Sequence, residues 1–394
     1  MLRSKTDALG RALGIAWVFA LAACAPTPPA SEPTRTVAAP GLTPVDPPTS
    51  TVDSTPDAEA PDAGEAEAGA SAPPPAPVPV GLARGTGTPS DEALAAGDGA
   101  YLQDQWDLAQ QAYARAARLS PRDPAPLVGQ VRVALAKADT PTNHAAAPRN
   151  PALRQGVTKL RQALRLDPAY GPAHLELGRA LLVLDESDEA LSALRRAVQL
   201  LPSDPEAHSA LGVALLATGR GQDAVDSLRR AVGLDPGSVD RQTNLATALL
   251  LRGQAQEAIR VLEKAVVLAP SDGRIRTDLG TAYLTLQDLR KAMPHLRSAV
   301  ELEPGRATFR SNLGYGLQLS GDHAGAIEQY RKAIELDPKL GSAWINLGTA
   351  LAQTGQRQEA RQAFERAIAL DPTDPRPRSN LQELDELERD ASAP

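Results

Sequence analysis

Few residues in this chain could do chemistry, and their spacing is informative. Of five histidines, His174 and His208 stand 34 residues apart, His295 and His323 follow further on, and His144 is isolated. The paired acids Asp185-Glu186 and Asp188-Glu189 lie in a turn and the first turn of a helix, where the helix dipole favours negative charge. Cys24 is the single cysteine, so the chain can build neither an internal disulfide nor a cysteine-rich metal site. No HExxH, GxSxG, P-loop or CxxC pattern occurs. Histidines that recur singly at a fixed period lack partner ligands, so packing explains them better than metal binding. The chain is therefore expected to be no enzyme and to hold no metal or cofactor. What does recur is a hydrogen-bonding set: Asn244, Asp278, Asn312 and Asn346, each 34 residues from the next. An amide side chain both donates and accepts, which suits it to holding a peptide backbone.

A period of 34 demands a structural unit of that length. Gly178, Gly212, Ala246, Gly280, Gly314 and Gly348 follow it, as do Pro168, Pro202, Pro236, Pro270, Pro304, Pro338 and Pro372, and Ala190, Ala224, Ala258, Ala292, Ala326 and Ala360. In the last full unit, Leu347, Leu351, Phe364 and Ile368 recur at helical spacing and form an apolar stripe. The small Gly348, Ala360 and Ala367 let two antiparallel helices cross closely, Gly355 turns between them, and Pro372 ends the second. A lone hairpin would expose its stripe, so stability must come from stacking on neighbours.

That unit, SAWINLGTALAQTGQRQEARQAFERAIALDP, resembles the tetratricopeptide repeat, with Trp344, Leu347, Gly348, Ala360, Phe364, Ala367 and Pro372 in its motif slots. The resemblance implies an all-α fold, a right-handed superhelical solenoid of helix-turn-helix repeats. Eight units are expected: 90–123, 124–170 with a 13-residue insert, then 171–204, 205–238, 239–272, 273–306, 307–340 and 341–374. Residues 375–394 read as a cap helix and tail, with Leu381, Leu384 and Leu387 on one face. The insert around 140–150 is expected as a surface loop. Pro294 falls inside a second helix, where proline is costly unless the helix kinks or starts late, and a local bend is expected in the sixth unit.

In the resembled fold the second, fifth, sixth, ninth, twelfth and thirteenth slots of each unit face a concave groove. The sixth slot carries Glu176, Ala210, Asn244, Asp278, Asn312 and Asn346. The row of amides resembles the asparagine ladder of the repeat superhelices attached to protein O-glycosyltransferases. Beside it lie Thr243, Thr247, Thr277, Thr281, Ser311, Tyr315 and Thr349, a neutral surface suited to an extended peptide or partner protein with few charges. The alternative is that asparagine here only packs one unit on the next. The Lys and Asn of the chaperone-tail clamp are absent, Leu175 and Arg179 standing in those slots of the third unit.

Charge and composition bound the rest. The formal net charge of the 394 residues is -7, and the acid excess concentrates in 25–89, which excludes a basic nucleic-acid footprint. A small-molecule substrate is not expected. Residues 1–23 combine Arg3, Lys5 and Arg11 with an apolar run from Ala12 to Ala23, too short at about 1.5 Å per residue to cross a bilayer core of about 30 Å. This is the pattern of a cleaved secretory leader. Leu21-Ala22-Ala23-Cys24 resembles the lipobox of bacterial lipoproteins, which implies diacylglyceryl transfer to the Cys24 thiol and cleavage before it. Ala25 is not the aspartate of an inner-membrane retention signal, which leaves the outer membrane, facing the periplasm. Residues 24–89 are rich in Pro, Ala, Thr and acid, with too little apolar surface to offset chain entropy, and read as a disordered tether.

The expectation is a membrane-anchored scaffold of the bacterial cell envelope, supporting a pilus, secretion or cell-wall machine. Two alternatives stand beside it: a substrate-selecting accessory of a separate glycosyltransferase or hydrolase, and a soluble cytosolic regulator whose start lies near Ser90.

Overall fold

A computed structural model describes residues 81–137 and 150–392, with side chains described to residue 386. The leader, Cys24, the tether as far as residue 80 and the insert at 138–149 lie outside the described residues. Seventeen helices and no strand occupy the remainder. In chain order they are α1 (Pro89–Leu102), α2 (Trp106–Leu119), α3 (Ala125–Lys137), α4 (Pro151–Leu166), α5 (Gly171–Val183), α6 (Ser187–Leu200), α7 (Pro205–Ala217), α8 (Gly221–Leu234) and α9 (Val239–Leu251), then α10 (Ala255–Leu268), α11 (Gly273–Thr285), α12 (Leu289–Leu302), α13 (Ala307–Leu319), α14 (His323–Leu336), α15 (Gly341–Gln353), α16 (Arg357–Leu370) and α17 (Arg376–Ser392). The first sixteen pair as eight hairpins, each packed on the next, and α17 lies against the last.

The two helices of a hairpin have different tasks, and their sequences show it. A second helix buries one stripe: in α8 only Ala224, Val225, Leu228 and Ala231 are buried, with polar residues around the rest. A first helix packs against its own partner and against both neighbouring units, so it is buried on most sides. In α5 ten of thirteen residues are buried, from Gly171 to Leu182. Apolar periodicity is accordingly sharp in the second helices and blurred in the first.

Local signals set the ends. Thr88, Asn150 and Asp204 accept N–H bonds as caps, each just before a proline at the first helical position. Asn150 is the last residue of the insert, so the insert ends as a helix cap. Second helices stop at an extended residue before proline, as at Asp167 and Asp371. Inside the hairpins the turn residue has φ between 57° and 84°, and it is glycine at 219, 253, 321 and 355 but Asp104, Asp185 and Gln287 in three units. A side chain in that conformation costs about 1 kcal/mol. Gln287→Gly should therefore raise stability by up to about 1 kcal/mol and Gly253→Gln lower it by as much. Paired urea unfolding curves of the two variants check both signs.

Pro294 does not delay its helix. The second helix α12 begins at Leu289 in the same register as its counterparts and runs the same 14 residues as α10 and α14, with Pro294 exposed at its sixth position. In α17, Leu384 is buried and Leu381 packs beside it against the last hairpin, while the side chain of Leu387 lies outside the described residues.

Candidate functional site

The first helices carry the candidate site, and three arrangements stand out along them. At the N-terminal end, residues 81–88, which composition assigns to the tether, are packed on the first hairpin. Leu82 is 1% exposed. The Leu82 and Ala83 N–H groups donate to Asp98 Oδ2 at 2.6 and 3.0 Å, and the Arg84 and Thr86 N–H groups donate to the two oxygens of Asp91 at 2.6 Å each. The segment thus runs antiparallel to α1, held by carboxylates at the second and ninth slots. The Arg84 guanidinium forks onto Asp123 at 2.9 and 3.0 Å and lies over the Tyr170 ring. Composition misses this because only Leu82 is large and apolar; the segment is ordered by its backbone N–H groups meeting side chains 16 and 7 residues away.

The second arrangement is a run of ion pairs across α3, α5, α7 and α9. Arg132 Nε donates to Glu176 Oε1 at 2.7 Å, Arg179 lies 3.9 Å from Glu176 and 3.3 Å from Glu206, and Arg241 joins Glu206 at 3.3 Å and Asp235. Burial alone would raise the Glu176 pKa, but Arg132 and Arg179 outweigh it and hold the carboxyl below the usual range. The sequence shows Glu176 at the sixth slot and Arg179 three residues on, yet not its nearer partner Arg132, which comes from the preceding unit.

The third is the sixth-slot row beyond it. Asn244 and Asp278 are buried, whereas Asn312 and Asn346 are half-buried. Among the described residues none of the three asparagine side chains forms a hydrogen bond. The threonines beside them behave differently: Thr243, Thr281 and Thr349 donate back to the carbonyls of Asp240, Thr277 and Ile345 within their own helices. Thr277 and Ser311 are buried, and Thr247 and Tyr315 half-buried. Asp278 has no hydrogen-bond partner, and burial pushes its pKa up to about 8. The face therefore divides into a charge-paired part and a neutral part whose amides remain available.

The histidines have a definite task. Nε2 of His174 and of His208 bonds the carbonyl oxygen of Pro168 and Pro202 at 2.9 and 3.0 Å; an oxygen can only accept, so each Nε2 carries the proton. The same slot supplies an N–H to the proline six residues earlier in later units, from Gln242, Arg276, Arg310 and Trp344, and from Arg378 in α17, at 2.5 to 3.1 Å. Each bond satisfies a carbonyl in the turn between units. The common chemistry of the slot is an N–H donor, readable in the sequence as a nitrogen-bearing side chain six residues after each of these prolines. Trp344→Phe keeps the ring and loses the donor, so it should cost about 0.5–1.5 kcal/mol in urea unfolding.

No helix of the described residues is long and apolar enough to cross a membrane. Two family models, both described as tetratricopeptide repeat, match the chain: one at residues 153–205, 175–239 and 277–340, the other at 215–277 and 317–384. Among solved structures the chain is similar to the APC/C hetero-tetramer Cut9-Hcn1, at 15% identity and a TM-score of 0.55, over 75% of this chain and 56% of that one, so it spans just over half of that relative's length. That likeness is one of fold. Partial matches include MamA (41-end) of Desulfovibrio magneticus RS-1, at 28% identity and TM-score 0.40 over 43% of this chain and 96% of that one. Another is pilF of Pseudomonas aeruginosa, at 20% identity and TM-score 0.46 over 56% and 98%. No curated protein matches the sequence.

Proposed function

Because the chain belongs to the tetratricopeptide repeat family, a fold of protein-interaction scaffolds, we propose that its first helices hold an extended peptide or the flexible segment of a partner protein. The observation that carries this reading is the seat of the chain's own residues 82–86. Two carboxylates at groove slots grip four backbone N–H groups there and leave most of the side chains unread. Further along, the unbonded amides of Asn244, Asn312 and Asn346 offer the donors and acceptors that a second extended backbone needs. Ordering a flexible segment costs entropy, so binding is modest in strength and readily exchanged.

The scaffold works from the surface of a membrane in the bacterial cell envelope, moored by an acylated Cys24 at the outer membrane and facing the periplasm. The leader pattern ending at Leu21-Ala22-Ala23-Cys24 supports this. Two or three acyl chains, each worth about 0.8 kcal/mol per buried methylene, make a durable anchor. Residues 25–80 would let the repeats reach a partner at a distance from the bilayer, which suits assembly of an envelope complex.

Two experiments test the parts separately. Crosslinking in intact cells, followed by mass spectrometry, compares the native chain with an Asn244→Ala/Asn312→Ala/Asn346→Ala variant. Loss of one partner set is expected, and an unchanged set would remove the groove reading. Metabolic labelling with a radioactive fatty acid should mark the native chain and leave Cys24→Ala unlabelled; equal labelling of both would end the anchor proposal.

A further inference from the structure

Two carboxylates occupy the sixth slot of the first helices, and they are treated in opposite ways. Glu176 is 4% exposed and faces Arg132 and Arg179. Asp278 is 7% exposed, but its Oδ1 is sealed from solvent with no partner, and the adjacent Thr277 hydroxyl is sealed and unpartnered as well. Arg274, one turn earlier on α11, is the cation whose field reaches Asp278, yet its guanidinium is bonded to Asp272 at 2.8 and 3.3 Å. On either side along the row stand Asn244 and Asn312, which carry no charge.

A buried carboxyl without a donor is costly to keep, and folding gains nothing from it. Burial raises its pKa to about 8, with Arg274 drawing it down and Asp272 adding to the rise. Among the described residues no side chain donates to it, so a donor from outside the chain would relieve that cost.

We propose that Asp278 is the charge-reading position of the groove and receives the side-chain ammonium of a lysine from an extended segment of the partner protein. This rests on the peptide-binding reading above and narrows it. Lysine fits the place: its compact ammonium rides on a slender stem that can enter where the carboxyl is almost closed, whereas the planar fork of arginine needs a wider mouth. The three N–H donors of the ammonium match the unpartnered oxygens of Asp278 and Thr277. The amides of Asn244 and Asn312 hold the backbone to either side. An apolar side chain or an ionised acid at this place would leave the carboxyl unpaired, and a neutral donor would pair it without a charge, which is how the site discriminates.

A phage-displayed library of random peptides, panned against the full chain, tests this. Asp278→Asn is the main comparison; it is isosteric and replaces an unpaired buried acid with an amide that cannot ionise, so it keeps the fold. The native chain should enrich peptides with lysine at one fixed place, and Asp278→Asn should still bind peptides but lose that enrichment. On the native chain, acetylating that lysine in a selected peptide should weaken binding about tenfold, the size of one charge-assisted hydrogen bond. On Asp278→Asn the acetylated and free forms should bind alike. Peptides enriched without lysine, or the same pool from both proteins, would overturn the inference and leave the groove reading standing. If no peptide is retained, or if the Asn244→Ala/Asn312→Ala/Asn346→Ala variant retains the same ones, the groove reading falls and this inference with it.

Discussion

Arg132→Ala is expected to destabilise the folded chain by about 3–5 kcal/mol, because it leaves Glu176 charged and buried with its nearest partner gone. The Glu176 side chain is 5% exposed and that of Arg132 14%, so water cannot replace the lost guanidinium. Arg179 remains, but at 3.9 Å from Glu176 it is bound more closely to Glu206. The damage should be local, since a repeat array gains stability unit by unit: amides of α3, α5 and α7 should exchange faster while those of α15 and α16 are unaffected. Replacing the pair with apolar residues, Arg132→Met with Glu176→Leu, should restore most of the loss, because it removes the stranded charge along with its partner.

The same pair and its opposite, Asp278, also shape the pH dependence. Glu176 has a folded-state pKa below its unfolded one, so its contribution is present above the ordinary carboxylate range and is lost as the pH falls through the lowered value. Asp278 has a folded-state pKa raised to about 8, so the folded chain holds that proton more tightly. Its effect runs the other way: stability is greatest below the ordinary carboxylate range and declines as the pH climbs toward about 8. Asp278→Asn should flatten that upper decline and leave the acid limb unchanged, as urea midpoints across the pH range would show.

Gly348→Ala is expected to cost about 1–3 kcal/mol, whereas the same change at Gly212 should cost less. A methyl group on Gly348 would lie 2.5 Å from a ring carbon of Phe364, which is 1% exposed and too rigid to fold out of the way. Gly212 would meet Leu228 at a similar distance, but a leucine can turn about its bonds. The chain already contains that solution: its fifth unit has Ala246 opposite Leu262, both fully packed. The double variant Gly348→Ala/Phe364→Leu reproduces that pair and should recover much of what Gly348→Ala loses. Recovery in thermal unfolding would show that the slot is governed by the size and stiffness of its partner and not by a need for glycine.

Much of this molecule could be read from residue order. The 34-residue step placed eight hairpins, because each depends on local spacing: apolar stripes in the second helices, a turn residue with positive φ, a proline that stops each unit. The candidate row Asn244, Asp278, Asn312 and Asn346 was legible for the same reason, since one slot per unit must fall on one face. The fourth-slot donors were visible too, as a nitrogen six residues after proline, but a motif that expects an aromatic there hides them.

What the tertiary structure alone decided is which neighbours each slot would meet. Glu176 and Asp278 share a slot and nearly the same burial, yet one faces two arginines from its own and an adjacent unit, while the other has lost its arginine to Asp272. Residues 81–88 look like tether by composition and are folded because Asp91 and Asp98 meet their backbone. Periodicity is a property of one chain segment at a time, and charge pairing and backbone capture are made between segments, at distances that only stacking sets.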